Sequence, residues 1–90
     1  MLGAVEFEFY DAAEPQIEDH IFEWLDDFYP YEAIVERVEQ EGSDVFVYLE
    51  IDLGDSGPDM WETWCDGVMK TAVGAGLASG GEVTDQDYGF

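Results

Sequence analysis

Carboxylates recur through this chain at two spacings. Glu6 and Glu8 stand two apart, as do Glu50 and Asp52, while Asp19, Glu23, Asp26 and Asp27, with Glu18 beside them, stand three or four apart. On a strand the first spacing puts both groups on one face, roughly 6.8 Å apart. On a helix the second gives about 5–6 Å between Cβ atoms. Carboxylates arrayed this way can hold a metal ion, act as acid and base in catalysis, or pair with the cationic side chains of another molecule.

The first two chemistries find little support. Asp52, Asp55 and Asp59 surround a Gly-rich loop, and Asp85 and Asp87 precede Gly89. Neither set has the fixed offsets and twelfth-position Glu of an EF-hand, so no dedicated metal site is expected. His20 is the only histidine and sits among acids beside an apolar stripe. A general base needs a substrate cleft and an orienting group, and neither can be named. Cys65 lies between Trp64 and Asp66, and acidic neighbours disfavour the thiolate. It reads as a buried structural cysteine. The chain is expected to be no enzyme and to use no cofactor.

The third chemistry dominates by number. Twenty-three residues are Asp or Glu and two, Arg37 and Lys70, are basic, for a formal net charge of -21. Such charge opposes compaction by self-repulsion. Disorder, however, requires low hydrophobicity as well as high charge, and 47% of these residues are hydrophobic and 16% aromatic. The chain should fold and present a polyanionic surface. That surface repels nucleic acid and anionic membrane, so the expected partner is a basic protein. No stretch approaches the roughly 18–20 apolar residues of a membrane span. The N-terminal segment has neither the basic region nor the apolar run of a signal peptide. A lone cysteine fits a reducing cytoplasm.

Ninety residues make one domain. Val5, Phe7 and Phe9 alternate with Glu6, Glu8 and Tyr10, the period of a half-buried strand. Glu14-Pro15 opens a helix whose apolar stripe is Ile17, Ile21, Leu25 and Phe28, ending at Pro30. Residues 31–41 suit a strand or a helix; the strand is preferred, because Glu41-Gly42-Ser43-Asp44 resembles a hairpin turn. The partner strand, Val45 to Leu53, turns Val45, Val47, Leu49, Ile51 and Leu53 one way and Phe46, Tyr48, Glu50 and Asp52 the other. A second helix is expected from about Asp59 to Ala78. Its core stripe is Trp61, Trp64, Val68 and Ala72, and its small-residue stripe, Gly67, Thr71, Ala75 and Ser79, would pack on the sheet. Glu82-Val83-Thr84 reads as a short edge strand and residues 85–90 as a tail. This order is the ferredoxin-like βαββαβ plan, an α+β two-layer sandwich with an antiparallel sheet and two helices on one face.

The uncovered sheet face would then carry Glu6, Glu8, Tyr10, Phe46, Tyr48, Glu50 and Asp52. Open sheets with aromatic rings resemble RNA-recognition platforms, but those surround the rings with Lys and Arg, and here the neighbours are carboxylates. The arrangement suits a partner presenting Arg, since carboxylates pair with guanidinium and rings stack on it. In size, charge and compactness the chain resembles phage-encoded DNA-mimic proteins of the anti-restriction and anti-CRISPR class. The resemblance rests on no motif and covers the whole chain. It implies a stoichiometric inhibitor that occupies the basic channel of a nucleic-acid-binding host defence protein. The expected contacts are the helix carboxylates Glu18, Asp19, Glu23, Asp26 and Asp27 and the sheet residues Glu6, Glu8, Glu50 and Asp52, with Tyr10 and Tyr48 as aromatic anchors.

Two other readings compete. A protein working in molar salt also carries an acidic, Lys-poor surface, because a Debye length of about 3 Å at 1 M removes the repulsion. That reading gives no reason to discard Arg along with Lys. Three tryptophans, six phenylalanines and five tyrosines are also more than a small core is expected to hide. Aromatics such as Phe22, Phe28, Tyr29 and Tyr31 left at the surface would serve a homodimer as readily as a foreign partner.

Overall fold

The computed structural model describes residues 2–27, 32–52, 54–55 and 58–88. Six elements follow one another: β1 (Leu2–Tyr10), α1 (Glu14–Asp27), β2 (Glu32–Glu41), β3 (Asp44–Asp52), α2 (Pro58–Gly74) and β4 (Gly80–Tyr88). The strands form one antiparallel sheet in the order β2-β3-β1-β4. Residues 31–41, ambiguous by pattern, are therefore strand from Glu32 onward. The turn Gly42-Ser43 explains the outcome. Gly42 adopts φ 62°, a conformation open to glycine at the first position of a two-residue hairpin, and it folds β2 back onto β3.

Alternation sets the faces. Val5, Phe7 and Phe9 of β1 and Val45, Val47, Leu49 and Ile51 of β3 are buried, and they share one core with Ile17 and Ile21 of α1 and Trp61, Trp64, Val68 and Ala72 of α2. Both helices thus cover the same sheet face, α1 over β2 and α2 beside β4. Each large apolar side chain so buried contributes about 1.5–3 kcal/mol. The tryptophans, expected to strain the capacity of a small core, stack instead. Trp61 and Trp64 lie 5.8 Å apart at 10°, Trp24 meets Trp64 edge-on at 6.2 Å, and Phe7 tilts against Trp64 at 6.3 Å. Phe22 remains at the surface, 49% exposed. Phe28, Tyr29 and Tyr31 lie outside the described residues, as does the expected end of the first helix at Pro30.

The small-residue stripe of α2 does not face the sheet as expected. A Cβ on Gly67 would come within 2.6 Å of Trp24 Cη2, so α1 packs on the stripe at Gly67 and Thr71, while Ser79, beyond the helix, donates its N–H to the Tyr10 carbonyl of β1. Trp24 Nε1–H donates to Thr71 Oγ1 (2.7 Å), and the Thr71 hydroxyl donates to the Gly67 carbonyl (2.8 Å). His20 Nε2 lies 3.2 Å from both the Val68 carbonyl and Thr71 Oγ1. A carbonyl can only accept, so Nε2 carries the proton. His20, expected beside the apolar stripe among acids, is 7% exposed and joins the two helices.

Helix α2 stops at Gly74, short of the expected Ala78. Gly76 takes φ 75°; its N–H donates to the Val73 carbonyl (3.1 Å) and the Leu77 N–H to the Ala72 carbonyl (3.0 Å). This pair of bonds is the Schellman ending, which satisfies the last carbonyls and turns the chain toward β4. That strand overturns the expected tail. Instead of a three-residue edge strand, it runs nine residues, with 85–88 paired to β1.

At the other end of β1, Gln40 of β2 organises the entry to α1. Its Oε1 accepts from the Glu14 N–H (2.8 Å), and its Nε2 lies 3.0–3.1 Å from the carbonyls of Ala12, Gly42 and Asp44. One amide thus ties the start of α1 to the β2–β3 hairpin and fixes how the helix lies on the sheet.

Candidate functional site: the open acidic sheet face

Residues paired across antiparallel strands share a face, so the registers lay out the uncovered side of the sheet in rows. Taken in sheet order, one row is Glu39, Phe46, Glu8 and Glu82. The next is Arg37, Tyr48, Glu6 and Asp85, and a third is Ile34, Glu50, Ala4 and Asp87. Asp52 pairs with Leu2 beyond them, and Asp44 with Glu41 at the hairpin end. Rows are about 6.8 Å apart along a strand, and neighbouring strands about 4.8 Å apart. All four strands contribute carboxylates to one surface, with half-buried Tyr10, Phe46 and Tyr48 among them.

Two β-bulges interrupt the grid at the same level. The β2–β3 register shifts between Val35 and Arg37, leaving Glu36 unpaired, and the β1–β4 register shifts between Glu6 and Phe7, leaving Thr84 unpaired. Bulges bend edge strands and re-aim their side chains. Both extra residues flank the row of Glu6. Thr84 Oγ1 donates to Glu6 Oε1 (2.9 Å), and Arg37 Nη2 reaches Glu6 Oε2 (3.3 Å) with Nε 3.6 Å from Glu39. Arg37 stands on β2 and Glu6 on β1, so the guanidinium crosses β3 at the level of Tyr48. Glu6, Glu36, Arg37 and Tyr48 line a shallow depression of about 390 Å³.

Toward the hairpin end the carboxylates crowd. Partial burial raises the Glu8 carboxyl above its ordinary 4.5, a hydrogen bond shared with Asp44 raises it further, and the charges of Asp44, Glu82 and Glu41 add to the effect. Burial likewise raises Tyr10 above 10, helped by its hydrogen bond to Glu82 and by the charges of Glu82, Glu8 and Asp44.

The expected contact residues divide between two surfaces. Glu6, Glu8, Tyr10, Tyr48, Glu50 and Asp52 share the sheet face. Glu18, Asp19, Glu23 and Asp26 are on α1, in the other layer, away from that face. Asp27 ends α1, and its side chain lies outside the described residues. Asp19 and Glu23 line a separate depression of about 220 Å³ with Gln16, His20 and Leu77. One flat partner surface cannot touch both sets. The two tyrosines also stand apart, since Tyr10 is four residues along β1 from Glu6, the neighbour of Tyr48, or roughly 13 Å.

Sequence reasoning missed Glu36, Arg37 and Glu39, because residues 31–41 break period two, and that break is the trace of the bulge. It also placed Asp85 and Asp87 in a tail, whereas pairing with Glu6 and Ala4 sets them on this face. Among the described residues, no group of three or more His, Cys, Asp or Glu is arranged to hold a metal ion, and no helix is long and apolar enough to cross a membrane. Cys65 is buried, and burial first, then the charge of Glu62, pushes its thiol up to about 12.

No family model matches the chain, and no curated protein matches it. A solved structure does: the de novo designed protein Ferredog-Diesel superposes with a TM-score of 0.52 and 14% sequence identity, covering 94% of this chain and 85% of that one. At that identity the likeness concerns the fold alone.

Proposed function

We propose that this chain is a ferredoxin-like domain acting as a non-enzymatic inhibitor, one that presents a nucleic-acid-like charge array and occupies the basic DNA- or RNA-binding channel of another protein, in the manner of anti-restriction or anti-CRISPR proteins. The fold assignment is supported by the βαββαβ element order and the strand order β2-β3-β1-β4. The observation that carries the functional reading is the open sheet face. Four strands each place carboxylates on it, and the cation in its central row, Arg37, is already engaged by Glu6 and Glu39. A charge array on a sheet, offset by one cation in its central row, offers a basic channel fixed partners, which favours both encounter rate and specificity. Burial of Cys65 and His20 in the helix layer, away from this face, supports the non-enzymatic part.

A second reading has its own observation. The outward side of the helical layer is acidic too, with Glu18, Asp19 and Glu23 on α1 and Asp59, Glu62 and Asp66 on α2 all exposed. Acidity on every side is what solubility in molar salt would require.

Two measurements separate these readings. Circular dichroism against KCl should show a cooperative fold already at about 0.1 M, where the Debye length is near 10 Å; a chain that folds only toward molar salt is a halophilic protein. Immobilised protein should capture nucleic-acid-binding proteins from a host-cell lysate at low salt and release them to excess duplex DNA or RNA. Capture that nucleic acid cannot compete away would sink the mimicry.

A further inference from the structure

We propose that the depression beside Glu6 is a subsite for an arginine side chain of the basic partner, and that Arg37 is its built-in occupant, which the incoming guanidinium displaces. The inference rests on the reading that the sheet face meets a basic protein, and names the chemistry that the face selects. Glu6 is held from both oxygens, by the Thr84 hydroxyl at 2.9 Å and by Arg37 at 3.3 Å, and is only 24% exposed. It is therefore a pre-oriented acceptor that loses little freedom on binding. Arg37 reaches it by spanning β3 at the level of Tyr48, so a guanidinium already pairs with Glu6 in a depression that Tyr48 also lines. The bulge at Glu36 adds an exposed carboxylate to the rim beside the half-buried Glu6.

Planar guanidinium matches such a site better than ammonium does, because it offers several donors in a fixed fork and a face that stacks on an aromatic ring. The depression, about 390 Å³, lies at the lower end of small-ligand pockets, roughly 300–1,000 Å³. Arg37 itself is half-exposed and its second partner, Glu39, lies 3.6 Å away. Exposed pairs of this kind are weak, so the tethered guanidinium can yield to one delivered by a partner. Arg37 therefore masks a site that is itself selective for guanidinium, and removing it uncovers the preference for Arg over Lys.

The test uses the whole chain and two labelled peptides of equal length, octa-arginine and octa-lysine, titrated by fluorescence anisotropy at low and near-physiological salt. The wild type should bind octa-arginine about fivefold more tightly than octa-lysine. Arg37→Gln should widen that preference, and Glu36→Gln should narrow it. Lys70→Gln makes the same change in net charge on α2, beside Asp66, and should raise both affinities alike. In ¹⁵N spectra the Arg37 Nε–H signal should shift on adding octa-arginine and much less with octa-lysine. Equal binding of the two peptides, or equal behaviour of the Arg37→Gln and Lys70→Gln variants, overturns the subsite while leaving the basic-partner reading standing. If neither peptide binds at low salt, both the subsite and the basic-partner reading are overturned.

Discussion

The rim of the Trp24 indole fills the space that a side chain at Gly67 would need: a Cβ there would lie 2.6 Å from Trp24 Cη2. Glycine is a poor helix former, worth up to about 1 kcal/mol less than Ala, yet α2 places one at its middle so that α1 can approach. Gly67→Ala should therefore destabilise the protein despite better propensity. Overpacking costs about 1–3 kcal/mol, which after the propensity gain leaves a net loss of up to about 2 kcal/mol and a melting temperature lower by roughly 4–8 °C per kcal/mol. Thermal unfolding by circular dichroism measures it; an unchanged or raised Tm would show that Trp24 has room to move.

His20 belongs to the same helix contact. Its buried Nε2–H donates to the Val68 carbonyl, and loss of a buried partner typically costs about 1–3 kcal/mol. His20→Gln should lower stability by that order while leaving affinity for octa-arginine unchanged. A selective loss of binding with the fold intact would assign His20 a role at the partner surface.

Stability should rise as the solution is made mildly acidic. The folded-state value of Glu8 is raised above its ordinary 4.5, so the native state holds that proton more tightly than the unfolded chain does. A raised value contributes stability that is present below the unfolded value and is lost as pH climbs through the folded one. Tm should accordingly be higher near about pH 5 than near about pH 8, and Glu8→Gln should flatten part of that dependence. If wild type and variant show the same pH profile, the Glu8–Asp44 contact carries no linkage.

The sheet face should matter more than α1 for binding. Glu8→Gln, Glu50→Gln and Asp85→Asn together, and Asp19→Asn, Glu23→Gln and Asp26→Asn together, remove the same charge from opposite layers. With each exposed pair worth about 0.2–1 kcal/mol, the sheet triple should weaken octa-arginine binding roughly tenfold and reduce its salt dependence, and the helix triple should do markedly less. Equal losses would mean that affinity follows net charge alone.

Cys65 should be inert in the native protein. With its thiol pushed up to about 12 by burial and by the charge of Glu62, almost no thiolate forms near neutral pH. A chromogenic disulfide reagent should react slowly with folded protein and at the free-thiol rate in denaturant. Cys65→Ser should cost packing stability only. Fast native reaction would contradict the buried placement.

Much of the fold was legible because period-two and helical patterns report which side of an element is buried. Val5, Phe7 and Phe9, and Val45, Val47, Leu49 and Ile51, announced two strands and their inner faces, and Trp61, Trp64, Val68 and Ala72 the inner stripe of α2. The carboxylates of β1 and β3 on the outer face followed from the same alternation. Other features depend on contacts distant in sequence. Which neighbour Gly67 receives was decided by the packing of Trp24, and whether residues 85–88 form a strand by pairing with β1. The site shows the same division. The amount and sign of charge are properties of composition, fixed before folding. Registers and two bulges brought Glu36, Arg37, Tyr48, Glu6 and Thr84 together, and the two-layer build parted the helix carboxylates from those of the sheet. Local pattern determines which side chains turn outward; only the pairing of distant strands determines which of those become neighbours.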